Sequence, residues 1–136
     1  MSVFKSFGVN ASGMTAERYR LDIISENIAN ANTTRTEEGT PYRRKIITFG
    51  AIYAKARGYH TGDGVKVTRV LEDTTTDLIS VYDPAHPDAD ENGYVMYPNV
   101  NTITEMTNMI DATRAYEANA TAFSASKNMA QRGLQI

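Results

Sequence analysis

The chain has 136 residues, 14 basic and 16 acidic, giving a formal net charge of −2, a length that suits one compact unit with appended elements. Cysteine and tryptophan are absent and His60 and His86 are its two histidines, which removes disulfide frameworks, thiolate zinc sites and Cys-His nucleophiles. The near-neutral balance offers no broad basic field for nucleic acid or an anionic membrane, and a cysteine-free chain suits the cytosol and the periplasm equally.

The first eight residues, Met1 to Gly8, carry one lysine and no uninterrupted apolar run, so no cleavable secretory signal is expected. No apolar stretch is long enough to span a membrane. From Val3 to about Ala29 the pattern is helical. Phe7, Ala11, Met14, Arg18, Leu21, Ser25 and Ile28 follow in steps of four and three, with Phe4 and Ile24 alongside. Arg18 and Ser25 weaken this seam, and Gly8 and Gly13 each cost about 1 kcal/mol relative to alanine, so the helix is expected to be marginal alone. The run Asn27-Ile28-Ala29-Asn30-Ala31-Asn32-Thr33-Thr34 favours caps and turns and ends the helix near Asn30.

Residues 31–100 form a different region. Arg44 to Phe49, Gly64 to Leu71, Leu78 to Tyr82 and Tyr94 to Tyr97 are rich in Val, Ile, Thr and Tyr and predict strands. Gly62-Asp63-Gly64 fits a tight turn. Six of the eight tyrosines fall here, where a ring covers a small sheet and its hydroxyl stays wet. A small β-rich unit with long connections, around Thr34 to Thr40 and Asp83 to Gly93, is expected.

Pro98 stops the last strand, and Thr102-Ile103-Thr104-Glu105 fits a capping box that starts a second helix. Ile103, Met106, Ile110, Thr113, Tyr116, Ala120, Phe123, Lys127, Ala130 and Leu134 make its stripe, and Gly133 suits its terminator. A helix from Ile103 to Arg132 would be about 45 Å long and the first about 40 Å. The fold expected is α+β: long N- and C-terminal helices in an antiparallel coiled-coil-like pair, over 1–30 and 101–136, around the β-rich segment 31–100.

Small residues at Ala112, Ala115, Ala118, Ala122 and Ala125 bury little in a two-helix pair but suit close approach by several neighbours. That predicts a pair loose in the monomer and ordered in an assembly, which becomes an open tube if the repeated contact does not close. An ordinary monomeric helix pair gives the same periodicity.

Leu21 to Thr34, containing Asn27-Ile28-Ala29-Asn30, resembles the N-terminal signature of the axial proteins of the bacterial flagellum. Asp83-Pro84-Ala85-His86-Pro87-Asp88-Ala89-Asp90, Gly93 to Asn101 and Arg114-Ala115-Tyr116-Glu117-Ala118-Asn119 are similar to the proximal-rod proteins among them. Where the common signature has Ala-Asn-Asn before Ile, this chain has Ser25-Glu26-Asn27. The resemblance implies a structural, non-enzymatic rod subunit that transmits torque from motor to hook. It also implies export through the flagellar type III apparatus without a cleaved signal, a place in the periplasmic part of the basal body, and partners among copies of itself and other rod proteins. Neither nucleic acid nor direct membrane insertion is implied. Phe7, Met14, Leu21, Asn27, Ile28, Asn30, Met106, Ile110, Tyr116 and Phe123 are the candidate subunit-contact residues.

Asp88-Ala89-Asp90-Glu91-Asn92-Gly93 matches the opening of an EF-hand loop, but the twelfth position is Asn99 rather than a bidentate Glu, and a strand-like run follows. A turn stiffened by Pro84 and Pro87 is expected there, with His86 an ordinary loop residue and no metal or cofactor. Arg43-Arg44-Lys45 beside Tyr42 suits a solvated strand edge, an acidic patch on a neighbour, or phosphates. Asn27, Asn30 and Asn32 suit either hydrogen bonds across subunits or capping of the helix end. Catalysis would need carboxylates paired by the fold, for which no motif speaks. The competing function is a non-flagellar helical adaptor or scaffold, which would be a stably helical monomer.

Overall fold

A computed structural model of the chain describes residues 3–56 and 59–136. Its elements are α1 (Val3–Ala29), β1 (Lys45–Ala56), β2 (Tyr59–Glu72), β3 (Ile79–Tyr82), β4 (Tyr94–Tyr97) and α2 (Thr102–Leu134). Among the described residues β1 pairs with β2, and β3 with β4, in separate two-stranded sheets. The architecture is α+β, as the residue pattern predicts, with three local corrections.

The first concerns Gly62-Asp63-Gly64, which makes no tight turn but lies inside β2. Gly64 has φ +134°, and a Cβ there would run into the side chain of Ser12 on α1. The Ser12 hydroxyl donates to the Val9 carbonyl at 2.7 Å and accepts from the Val65 amide at 3.1 Å, so it ties the strand to the helix. Glycine marks close approach of two backbones here, not chain reversal. Gly64→Ala combines left-handed strain with a clash and is expected to lower stability by about 2–3 kcal/mol, measured by urea unfolding. Adding Ser12→Ala should recover the part that comes from the clash.

The second correction is at the start of α2. The cap is Asn101, whose Oδ1 accepts from the amides of Ile103 (3.0 Å) and Thr104 (3.2 Å). The Thr102–Glu105 capping box does not form, because the Glu105 side chain is buried and committed elsewhere. Third, Gly133 does not end α2, which continues to Leu134.

The chain gathers into two compact units, one of Met1–Asp22, Ile47–Arg69 and Ile110–Ile136, the other of Ile23–Ile46 and Val70–Met109. In the first, the Phe7 and Phe123 rings lie 5.1 Å apart, and a Cβ on Gly13 would fall 2.9 Å from Oδ1 of Asn119. As residue numbers rise on α1 they fall on α2, so the helices run in opposite directions there. The glycine that weakens α1 by propensity is what admits Asn119. In the second unit β3 and β4 pair antiparallel with Ile79 opposite Tyr97 and Tyr82 opposite Tyr94. Val95 is fully buried, and the Tyr82 and Tyr94 rings meet edge-on at 5.3 Å. Asp90 Oδ1 accepts from the amides of Asn92 and Tyr94, which closes the preceding turn over Gly93 at φ +83°.

On α2 the buried line lies one residue round from the periodic apolar line, and on α1 the two overlap only in part. On α2 the buried positions Glu105, Ala112 and Ser126, with half-buried Asn119, recur every seven residues. Ile103, Met106 and Ile110 remain 78, 53 and 54 % exposed. On α1, Ala16, Ile23, Ile24 and Asn27 are buried, Ile24 beside the predicted seam, while Phe7, Met14, Leu21 and Ile28 are half-buried and Arg18 and Ser25 exposed. On α2 the small Ala112 and Ser126 on the inner line allow backbones to approach and leave the larger apolar groups beside it.

Candidate functional site

Asn27 sits at the end of α1 with 1 % of its surface exposed. Its Nδ2 donates to the Lys45 carbonyl at 2.9 Å and to Glu105 Oε2 at 3.1 Å. Its Oδ1 accepts from the Tyr42 hydroxyl and from the Lys45 amide, both at 2.8 Å. Two donors and two lone pairs are thereby all used, and the amide orientation follows from the backbone donor. Burial first, then the nearby carboxylates of Glu26, Glu105 and Glu72, push the Tyr42 hydroxyl above its ordinary pKa, so it stays protonated as a donor.

Glu105, also 1 % exposed, receives Arg44 Nε at 2.8 Å on Oε1. The Arg44 amide donates to Asn99 Oδ1 at 2.8 Å, and Asn99 Nδ2 donates to the carbonyls of Asp73 (2.9 Å) and Thr76 (3.0 Å). The segment entering β1 is therefore fastened to α1, to α2 and to the chain leaving β2 by hydrogen bonds spanning 15 to 61 residues. Such a network is rigid because each missing member would strand a buried polar partner.

Asp73 anchors the far side. Its carboxylate accepts from the hydroxyls of Thr75 and Thr76, both at 2.8 Å, and from both their amides at 3.0 Å. These bonds hold it well below the usual carboxylate range, the Thr75 side chain contributing most. A depressed folded pKa contributes stability that is complete above the unfolded value of about 4 and is lost as pH falls below it. Asp73→Asn should therefore flatten the loss of stability below about pH 4, read from urea midpoints across pH.

The basic triplet is not an open patch. Arg44 pairs with Glu105, the Lys45 ammonium pairs with Glu26, and Arg43 donates to the Asp73 carbonyl at 3.2 Å. The partners lie 19 to 61 residues away, so adjacent sequence gives no sign of them. In the EF-hand-like stretch Asp88 accepts from the Thr34 hydroxyl at 2.8 Å and faces Arg35 at 3.6 Å. Among the described residues no group of three or more His, Asp and Glu is placed to hold a metal ion.

Of the candidate contact residues, Asn27 is wholly engaged within its unit. Asn30 closes the helix end, donating to the Glu26 carbonyl at 2.9 Å and accepting from the Thr33 hydroxyl at 3.1 Å. Phe7 and Phe123 lie against each other, Met14, Leu21 and Ile28 are half-buried, and Met106, Ile110 and Tyr116 are exposed. Sequence reasoning did not single out Arg44, Asn99, Asp73 or Glu105 as parts of a junction. The one usable signal was Glu105, a carboxylate beside an Ile and Met stripe.

Residues 7–35 match the family described as "Flagella basal body rod protein", and residues 91–136 match "Flagellar basal body rod FlgEFG protein C-terminal". Curated relatives named "Flagellar basal-body rod protein FlgC" align over nearly their whole length. That of Bacillus subtilis is 42 % identical across 100 % of this chain and 99 % of its own. That of Borreliella burgdorferi is 43 % identical across 100 % and 98 %, and that of Escherichia coli O157:H7 is 38 % identical across 100 % and 98 %. The class is thus a structural component of the flagellar basal-body rod, not an enzyme, and nothing in these matches supports a free-standing helical adaptor. Within that class, the chain belongs to the FlgC family. Among the described residues no helix is long and apolar enough to cross a membrane.

Proposed function

We propose that this rod subunit builds its part of the tube by helix packing between copies and with other rod proteins, and that the finished tube carries torque through the periplasm to the hook. The observation that carries this reading is the arrangement of α2. Its inner line is small and polar, while Ile103, Met106 and Ile110 are more than half exposed. An apolar stripe on a long helix is stabilised by being covered, and about 25 cal/mol per Å² is gained when neighbours cover it. α1 and α2 act as an antiparallel, coiled-coil-like pair. Met106, Ile110 and Tyr116 meet neighbours directly, and half-buried Phe7, Met14, Leu21, Ile28 and Phe123 line the rims of that contact. Asn27 and Asn30 contribute by fixing the shape that presents them.

Type III export suits the same composition. α1 has no acidic residue in its first turn and no basic residue in its last, so its dipole is unopposed, and Gly8 and Gly13 weaken it further. Such a helix unfolds readily for a narrow channel and gains order once neighbours surround it. In a host lacking its own FlgC, this chain is expected to restore swimming and to co-purify with basal bodies. Its absence from purified basal bodies, with the protein present in the cell, would count against the proposal.

A further inference from the structure

The two compact units carry opposite charge. The first, Met1–Asp22, Ile47–Arg69 and Ile110–Ile136, has ten basic residues against five acidic ones, a formal +5. The second, Ile23–Ile46 and Val70–Met109, has four against eleven, a formal −7. The chain is near neutral as a whole because the two cancel, and each unit gathers its charge from segments far apart in sequence. Neither surplus is neutralised inside its own unit. In the second unit Arg35, Arg44 and Lys45 pair with Asp88, Glu105 and Glu26, and the remaining cation, Arg43, donates to the Asp73 carbonyl. Glu37, Glu38, Glu72, Asp77, Asp90 and Glu91 are exposed there and form no ion pair among the described residues. In the first unit Lys5 pairs with Asp63 and Arg20 with Glu17. Arg18, Lys66, Arg69, Arg114, Lys127 and Arg132 are exposed and in no ion pair among the described residues, and they outnumber the exposed Asp22, Asp111 and Glu117.

Resting on the rod reading, we infer that the partner of each surplus is the opposite unit of a second copy, so that the basic unit of one copy seats against the acidic unit of the next. The chain itself selects this occupant. When two copies meet, basic on basic and acidic on acidic both repel, and only the unlike pairing brings unpaired cations to unpaired carboxylates. Complementary charge of this kind fixes which surfaces meet and in what orientation, while apolar cover supplies most of the affinity. The two surfaces differ, so the contact is heterologous and passes from copy to copy. It is made by solvated charges and weakens as salt shortens their reach to about 3 Å at 1 M.

Sedimentation velocity of the purified chain tests this with the native sequence and two charge-reversed variants. One carries Glu37→Lys, Glu38→Lys, Glu72→Lys and Glu91→Lys and keeps the native first unit. The other carries Arg18→Glu, Arg69→Glu, Arg114→Glu and Arg132→Glu and keeps the native second unit. The native chain should associate beyond the dimer as its concentration rises at low salt, and about tenfold or more weakly in about 0.5 M salt. Neither variant should associate with itself. An equimolar mixture should form a one-to-one complex within about threefold of the native affinity, because it restores one native pairing of units. Variants that associate as the native chain does, a mixture that stays monomeric, or a native chain that stays monomeric, stops at a closed dimer or ignores salt would each overturn the contact. The salt response needs no substitution and decides the matter alone if circular dichroism shows that either variant has lost its helices. Because the measurement is made in solution, its failure removes this contact and leaves incorporation into basal bodies as the separate test of the rod reading.

Discussion

Asn27→Ala should lower the unfolding free energy by about 3–5 kcal/mol, one of the largest single effects available in this chain. The substitution strands the Tyr42 hydroxyl, the amide and carbonyl of Lys45, and one oxygen of Glu105, each a buried or part-buried polar group. Each costs about 1–3 kcal/mol when unpaired, and water entering the vacated space recovers part of the total. Thermal unfolding followed by circular dichroism should show a midpoint lower by about 10–20 °C. A change below about 1 kcal/mol would mean that the four bonds to this side chain are not what joins α1 to β1.

Glu105→Ala is expected to cost about 2–4 kcal/mol, less than removing a partner from a wholly buried ion pair. The discount comes from Arg44, whose side chain is 26 % exposed and retains some water after losing the carboxylate. Because Glu105 and Asn27 share a hydrogen bond, the two losses should not add. The Asn27→Ala, Glu105→Ala double variant should fall short of the sum by about 1 kcal/mol or more in a urea-unfolding cycle. Simple additivity would separate the two residues into independent sites. Both variants disturb the junction and leave Ile103, Met106 and Ile110 in place, so assembly, where it survives, is expected to weaken through stability rather than contact.

Periodicity over many turns made both helices legible from the residues, and α1 ends where the Asn-rich run abandons it. The runs of Val, Ile and Tyr overlap each of the four strands among the described residues, although β1 continues past the predicted Phe49 to Ala56 and β2 begins at Tyr59, ahead of the predicted Gly64. Glycine misled at Gly62-Asp63-Gly64, because a turn and a close approach to Ser12 call for the same residue. Gly50 shows the same ambiguity inside β1, where a Cβ would meet Cγ2 of Thr68. The start of α2 was missed by one residue, since Asn101 and Thr102 both suit a cap and only the burial of Glu105 decides between them.

The polar junction was much less visible. Asn27 stands out in sequence, but its partners at 42, 45 and 105 are joined to it by topology and no spacing rule reaches them. The phase of the helix faces was hidden for a different reason. An apolar period identifies a stripe without saying whether the chain's own partner or a neighbour covers it. Here the close helix approach falls at Gly13, and the buried Ala16 and Ala112 likewise carry little hydrophobic signal.

The central claim is that the exposed apolar line of α2 is covered on assembly. Met106→Cys and Ile110→Cys, placed singly in this cysteine-free chain, make that line accessible to a maleimide probe. Both should label rapidly in the dilute chain and be strongly protected in isolated basal bodies. Equal labelling rates in the two states would contradict it.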